Sequence, residues 1–189
     1  MRDALLDALE RYAALDPAEA EMRARMHAFV AAHKNCFRRS LLVGHITASC
    51  WIVDPGRGRA LLAWHKRLNR WLQMGGHVEV EDATLLDAAL REARKESGLN
   101  RVRSVSPAIF DVDIHPIPAR RNEPEHFHYD VRFLFEADPR EAPVVSPESR
   151  EVAWVALGKV ADRNSDASMR RMVAKTVRSA PSPRSRIRS

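Results

Sequence analysis

Two short stretches, GGHVEVED at residues 75–82 and REARKESGL at residues 91–99, carry most of the information about this chain's fold. The first predicts a tight glycine turn, and the second predicts a short helix that ends at a glycine. On a helix, Glu92 and Glu96 are four residues apart and therefore share a face. Two carboxylates beside glycines whose backbone can be approached closely form a hard-oxygen site suited to Mg²⁺ or Mn²⁺. Such a site predicts phosphate chemistry.

These stretches resemble the Nudix box, Gly-x5-Glu-x7-Arg-Glu-(aliphatic)-x-Glu-Glu-x-Gly-(aliphatic). The residues that match this pattern are Gly76, Arg91, Glu92, Glu96, Gly98 and Leu99. Asp82 stands at the early glutamate position, and one extra residue separates it from Arg91. Lys95 replaces the first glutamate of the Glu-Glu pair. The segment over residues 71–79 also resembles the strand that enters the box in a subgroup of bacterial Nudix proteins.

The resemblance implies the Nudix fold, an α/β/α sandwich with a mixed β-sheet. We expect an N-terminal helical extension over residues 1–40, the Nudix domain over 41–178 and a basic disordered tail over 179–189. Within the domain, the local patterns predict a helix that starts at the cap Thr84 and stops at Gly98. They also predict a hairpin of strands 45–53 and 60–65, strands near 108–114, 127–135 and 152–155, and a last helix over about 166–177.

The N-terminal extension shows two helical patterns. Apolar residues recur at helical spacing over residues 4–12, and Asp16-Pro17 with Glu19 is typical of an N-cap, a first-turn proline and a capping-box partner. The second helix is expected to end near His33. The two helices either pack on the main domain or provide a homodimer surface, and the sequence leaves both open.

The resemblance implies roles for the box residues. The metal ligands would be the carbonyl of Gly75 and the carboxylates of Glu92 and Glu96, and Arg91 would orient a glutamate through a salt bridge. The implied enzyme is a pyrophosphohydrolase, in which a metal-activated water attacks a phosphorus of a nucleoside diphosphate linked to another group. Its substrate would be a small nucleotide.

A further glutamate ahead of the last strand often serves in this family as ligand or base. Glu148 is our first choice for that residue and Glu151 is the alternate. Lys95 supports a second hypothesis, because an ammonium that points inward places positive charge where a cation should sit. The chain would then be a weakened Nudix domain that binds a nucleotide or a partner.

Several basic and aromatic side chains are candidates for substrate contacts. The predicted substrate-binding residues are Arg70, His77, His126 and His128. Residues 126 and 128 alternate along a strand, so both imidazoles should lie on one face. With His115 they could instead form a zinc site, or they could be ordinary polar residues on a strand. We favour contact with the substrate or its phosphates.

Composition restricts the class of protein. The chain has 189 residues and a formal net charge of +6 at pH 7, and much of the excess lies in the run from Arg178 to Arg188. Such a run is typical of a solvated tail. RNA binding through it is a weaker hypothesis, and nucleic acid is not an expected partner.

The apolar runs are too short for a membrane span, and the start lacks a signal-peptide pattern. Cys36 and Cys50 lack metal-ligand spacing, which favours free thiols in the cytoplasm.

Overall fold

In the computed structural model, which describes residues 1–120 and 123–179, a mixed β-sheet lies between two groups of helices. The helices are α1 (Arg2–Arg11), α2 (Pro17–Ala32), α3 (Leu85–Ser97), α4 (Val160–Arg163) and α5 (Ala167–Arg178), with a 3-10 turn at Leu157–Lys159. The strands are β1 (Gly44–Val53), β2 (Arg59–His65), β3 (Arg70–Leu72), β4 (Met74–His77), β5 (Arg103–Ser104), β6 (Asp111–Ile117), β7 (His126–Glu136) and β8 (Ser149–Ala156). The expected α/β/α sandwich is confirmed.

The centre of the sheet is the parallel pair of β1 and β7, which are in register from Gly44 and Phe127 to Val53 and Glu136. Every other strand pair in the described residues is antiparallel. Strand β1 pairs along its other edge with β4 and, near its end, with β2; β7 pairs with β6 and β5. This arrangement brings the strand that contains the glycines, β4, directly alongside the central strand β1.

Strand β1 is buried along its whole length and contributes to two cores. Ile46, Ala48, Cys50 and Ile52 belong to the cluster that includes α1, α2 and α3, whereas Trp51 and Val53 belong to the cluster of α4 and α5. Successive side chains of a strand point to opposite faces of the sheet, so this alternation follows from the backbone. The result is a sheet that is covered by helices on both sides.

The predicted strands and hairpin are confirmed with shifted bounds. Strands β1 and β2 pair as an antiparallel hairpin. The strand expected near 108–114 instead spans 111–117, because its ladder with β7 begins where Asp111 faces Arg132. Its later end includes Pro116, which lacks an N–H group. A proline is tolerated there because β6 pairs only with β7 among the described strands and so lies at an edge.

Both ends of α3 follow the predicted capping chemistry. The Thr84 hydroxyl accepts the backbone N–H of Asp87 at 3.1 Å, and Gly98 adopts the left-handed conformation with φ of 66°. Glycine adopts that conformation without the steric cost that a Cβ brings. The helix is therefore fixed at both ends, and the two glutamates Glu92 and Glu96 lie on its buried side.

The N-terminal helices pack on the sheet. Leu5, Leu9 and Met26 are buried in the same cluster as the sheet residues, and the Phe29 ring stacks on Tyr129 with centroids 3.9 Å apart. These contacts favour the first of the two expectations, in which the extension covers the main domain. The proposed boundary at residue 40 separates segments that share one core.

The start of α2 agrees with only half of the predicted capping box. Asp16 accepts the backbone N–H of Glu19 at 2.9 Å, as expected for an N-cap. The Glu19 carboxylate accepts from the N–H of Leu15 rather than from that of Asp16. It is fully buried and also bonds to the Tyr12 hydroxyl and the Lys175 ammonium. The Glu19 carboxylate departs from the capping-box pattern because it also connects α2 to Lys175 of α5.

A buried ionic network joins β6, β7 and α5. The Arg132 guanidinium contacts Asp130 at 2.7 Å and both Asp111 and Asp113 at 3.1 Å. Arg171 on α5 contacts Asp111 at 2.8 Å. Burial alone would lower the pKa of Arg132, but the surrounding carboxylates outweigh it and raise that pKa above its ordinary value. Asp130 and Arg132 follow His126 and His128 at every second position along β7, so this face of the sheet is polar.

Three further expectations concern a membrane span, the cysteines and the C-terminal tail. Within residues 1–120 and 123–179, no helix is both long and apolar enough to cross a bilayer. Cys36 and Cys50 are both buried free thiols. The predicted basic tail, residues 179–189, lies outside the described residues from residue 180 onward.

Candidate functional site

The two glycines of β4 lie where neighbouring atoms leave no room for a side chain. A Cβ on Gly75 would lie 2.7 Å from the Ser49 Cα on β1, and one on Gly76 would lie 2.7 Å from the carboxyl carbon of Glu92. The Gly75 N–H points to Glu96 Oε1 at 3.4 Å. The glycines therefore let strand β4 approach both β1 and the carboxylates of α3.

Glu92 and Glu96 form a buried pair of carboxylates next to this backbone. Their residues are 3% and 6% exposed. Burial, followed by the charge of Glu92, raises the pKa of Glu96 to about 7. Carboxylates crowded in this way are stabilised when a cation joins them. The donor set of two carboxylates and an adjacent backbone therefore fits Mg²⁺ or Mn²⁺, which prefer oxygen ligands.

Arg91 holds the loop and the helix together. It contacts Asp82 with two hydrogen bonds of 3.0 and 2.8 Å, and it donates to the His77 carbonyl at 2.9 Å. It also bonds to Glu92 Oε1, which is the salt bridge expected from the resemblance. In the sequence, Asp82 is only a departure from the box. Its side chain, with a pKa lowered by the hydrogen bond from Arg91, anchors the arginine that orients Glu92.

Lys95 points inward, toward the carboxylates. Its ammonium lies 3.0 Å from Glu92 Oε2 and 3.6 Å from Glu148 Oε1. Partial burial would lower the pKa of Lys95, but the hydrogen bond to Glu92 and the nearby carboxylates raise it, so the side chain is charged. The structure thus brings Glu148 to the box helix by way of Lys95. The alternate, Glu151, lies exposed on β8.

Five histidines gather at one end of the sheet. We call them the histidine cluster: His45, His77, His115, His126 and His128. The ring centroid of His45 lies 4.8 to 5.1 Å from the ring centroids of His77, His126 and His128. The ring centroids of His115 and His128 are 5.5 Å apart. The His126 and His128 rings are 5.3 Å apart, on one strand face as the alternation predicts. The cluster adjoins the box loop, since His77 follows Gly76 directly.

The comparison with known families agrees with this geometry. The family model described as the NUDIX domain matches residues 44–176, from the first residue of β1 into α5. The chain belongs to the Nudix family. The two N-terminal helices lie outside the matched Nudix range.

One relative of known name matches part of the chain. A probable DHNTP pyrophosphohydrolase from Lactococcus lactis subsp. cremoris (strain MG1363) is 34% identical over 80 residues, which are 41% of this chain and 46% of that protein. The match therefore spans less than half the length of that relative. Such a partial match leaves the substrate of this Nudix protein to be proposed.

Solved structures show the same fold. A C. elegans Ap4A hydrolase in a binary complex aligns with a TM-score of 0.56 and 17% identity, covering 70% of this chain and 95% of that one. The E. coli dihydroneopterin triphosphate pyrophosphohydrolase aligns with a TM-score of 0.54 and 14% identity, covering 71% and 96%. At these identities the likeness shows the Nudix fold alone.

Arg70 lies apart from the other predicted substrate contacts of the Nudix domain. It is on β3, opposite His65 of β2, and its guanidinium pairs with Asp166 at the start of α5. This position ties the β2–β3 turn to the last helix. A role for Arg70 in substrate binding stays a prediction.

His45 belongs to the histidine cluster but is not among the candidate residues that the sequence indicates. It is the second residue of a strand of mostly apolar residues, and only its pairing with β7 reveals its neighbours. A signal was present, since His45, Thr47 and Ser49 alternate and therefore share a face. Thr47 and Ser49 both donate to Asp130, at 2.9 and 2.7 Å.

Proposed function

We propose that this chain is a divalent-metal-dependent Nudix hydrolase that cleaves the diphosphate of a nucleoside diphosphate linked to another group. The observation that carries the proposal is the buried pair of Glu92 and Glu96 beside the Gly75 backbone. The family membership and the pyrophosphohydrolase name of the Lactococcus lactis relative support the same class of reaction.

The residues that would hold Mg²⁺ or Mn²⁺ are Gly75 through its carbonyl, and Glu92 and Glu96 through their carboxylates. Such an ion, when bound, lowers the pKa of a coordinated water and neutralises charge on a diphosphate. Arg91 keeps Glu92 oriented, and Asp82 keeps Arg91 in place. The buried setting of both glutamates excludes bulk water and strengthens their interaction with positive charge.

Glu148 is proposed as the base that takes a proton from the attacking water. It is half exposed, it precedes β8, and Lys95 links it to the box helix. Its own contact with the lysine holds the carboxylate on the side of the site where Glu92 lies. His126 would then offer a hydrogen bond to the substrate from the adjacent end of the sheet.

A second candidate function is a binding module without turnover. The observation that favours it is the Lys95 ammonium at 3.0 Å from Glu92, because this charge already compensates a carboxylate that a metal would otherwise use. Such a module would bind a nucleotide without needing a metal.

The test measures product release from a panel of nucleoside diphosphate derivatives. The panel also includes Ap4A and dihydroneopterin triphosphate, because similar proteins are named after these substrates. Each reaction is run with Mg²⁺, with Mn²⁺ and with a chelator, and the Glu96→Gln variant is the negative control. We expect turnover that requires the metal and disappears in the control. Absence of turnover, with nucleotide binding that persists in chelator, would establish the binding module instead.

Replacing Lys95 shows how much this side chain alone lowers the Mg²⁺ affinity of the box. In Lys95→Glu, the ammonium next to Glu92 becomes a carboxylate, so Mg²⁺ affinity should rise by at least roughly tenfold, equivalent to about 1.4 kcal/mol. Turnover at limiting Mg²⁺ should rise with it. Calorimetric titration with Mg²⁺ measures the affinity directly.

The matched control for this prediction is Arg94→Glu, which makes the same change of charge on an exposed position of the same helix. It should change Mg²⁺ affinity far less, since its charge is screened by solvent. Equal effects of the two substitutions would show that only the net charge of the helix matters, and that Lys95 has no specific place in the site.

A further inference from the structure

Three members of the histidine cluster lie on neighbouring strands of the sheet. His45 on β1 faces His128 on β7 in the parallel register, and Thr47 of β1 faces His77 at the end of β4. One ring nitrogen from each of these histidines lies within 4.8 Å of the other two. Side chains that project from paired strands are held more precisely than side chains on loops. Backbone pairing thus fixes three imidazoles around one point.

The imidazole of His45 is buried without partners. The residue is 1% exposed, and within the described part of the chain neither ring nitrogen has a hydrogen-bond partner. Buried polar groups in proteins are almost always paired, since an unpaired one loses its bonds to water and gains nothing. A ligand that accepts the lone pair of one His45 ring nitrogen explains why a histidine occupies this position rather than an apolar residue.

The side chains that converge here restrict the ligand. The three imidazole rings offer nitrogen lone pairs, and within the described residues both nitrogens of His45 are without a hydrogen-bond partner. Imidazole is the commonest side-chain ligand for metals in proteins.

We propose that His45, His77 and His128 bind a divalent transition-metal cation of the zinc class. Three imidazole nitrogens with a fourth, open position are a known ligand set for Zn²⁺, with Zn–N distances of about 2.0–2.1 Å. In that geometry ligand nitrogens are about 3.3 Å apart, so the rings must close by up to about 1.5 Å. His115 and His126 flank the site, and Asp113 and the Pro124 carbonyl contact their Nδ1 atoms at 3.3 and 2.9 Å.

This site differs in chemistry from the carboxylates of the box. Mg²⁺ and Mn²⁺ prefer carboxylate, carbonyl and water oxygens, whereas imidazole suits zinc and its neighbours in the first transition row. The chain would therefore discriminate between two classes of cation at two adjoining places. The sequence had indicated a zinc alternative with His115, His126 and His128; the structure assigns His45 and His77 to the triad in place of His115 and His126.

The test uses the full chain without a polyhistidine tag. Zn²⁺ binding is measured by calorimetry in excess Mg²⁺, and Co²⁺ is used as a spectroscopic substitute whose visible absorption reports nitrogen ligands. We expect one Zn²⁺ per chain, undisturbed by Mg²⁺, and a Co²⁺ spectrum of a low-coordinate nitrogen site. His45→Phe and His128→Asn should each weaken Zn²⁺ binding by at least about a hundredfold, whereas His33→Gln, outside the cluster, should bind as the unmodified chain does.

Each other result overturns the proposal. Failure of the unmodified chain to bind Zn²⁺ does so without any variant, so a folding defect in the variants leaves the test intact. Binding that survives in both cluster variants but is lost in Glu96→Gln would place the ion at the box. Binding of inorganic pyrophosphate in chelator that is lost in the cluster variants, without Zn²⁺ binding by the unmodified chain, would make the cluster a phosphate contact.

Discussion

The Arg132→Met variant should unfold about 3–5 kcal/mol more readily than the unmodified protein, because it leaves buried carboxylates without their partner. The Arg132 side chain is 2% exposed and contacts Asp111, Asp113 and Asp130. Methionine fills similar space but supplies no charge and no donor. For a chain of this length the melting temperature should fall by roughly 6 to 20 °C. Denaturant unfolding followed by tryptophan fluorescence gives the free energy directly.

Two comparisons identify the network as the cause. Arg140→Met removes an arginine whose ion pair with Asp138 is on the surface, where the arginine side chain is 89% exposed, and it should change the stability little. Adding Asp113→Asn to Arg132→Met removes one of the stranded charges, so the double variant should be less unstable than the sum of the single ones. Additive losses, or a loss in Arg132→Met no greater than in Arg140→Met, would contradict the proposed role of the network.

Features that depend on neighbouring residues could be predicted from the sequence. Asp16 and Thr84 cap the helices that follow them because their side chains reach backbone N–H groups three residues on. Gly98 ends α3 because the left-handed conformation disfavours other residues. The hairpin of β1 and β2 and the carboxylate pair on α3 have the same local origin. For this reason the box, with its spacing along one helix, was the clearest signal in the chain.

Features that depend on distant pairing could not be predicted in the same way. His45 meets His128 only because β1 and β7 pair in parallel, and the sequence between them gives no sign of that register. Glu19 was assigned to a capping box, yet its carboxylate is bound by Lys175 of α5. The contact of Lys95 with Glu148, at 3.6 Å, joins the box helix to a residue that lies far along the chain. Each of these contacts is decided by packing rather than by sequence spacing.

The Glu96→Gln variant should lose at least about a hundredfold in turnover and keep its fold. Metal-supplied charge stabilisation is worth several kcal/mol in such reactions, and each 1.36 kcal/mol is a factor of ten in rate. Glutamine has the same shape as glutamate but provides one neutral oxygen, so Glu92 and the Gly75 carbonyl would be left to hold the ion. Rates at saturating Mg²⁺ and calorimetric Mg²⁺ affinity separate a lost ligand from a lost catalytic group.

The stability of Glu96→Gln should move in the opposite direction from its activity. Glu96 is buried beside Glu92, and its pKa of about 7 shows that its charge is unfavourable where no cation is bound. Removing that charge should leave the metal-free protein as stable as before or more stable, while Mg²⁺ should no longer raise its melting temperature. The matched control Glu81→Gln makes the same change on an exposed loop residue and should alter neither property. A variant that is both inactive and unstable would instead assign Glu96 to the support of the fold, because a metal ligand is needed only when the metal is bound.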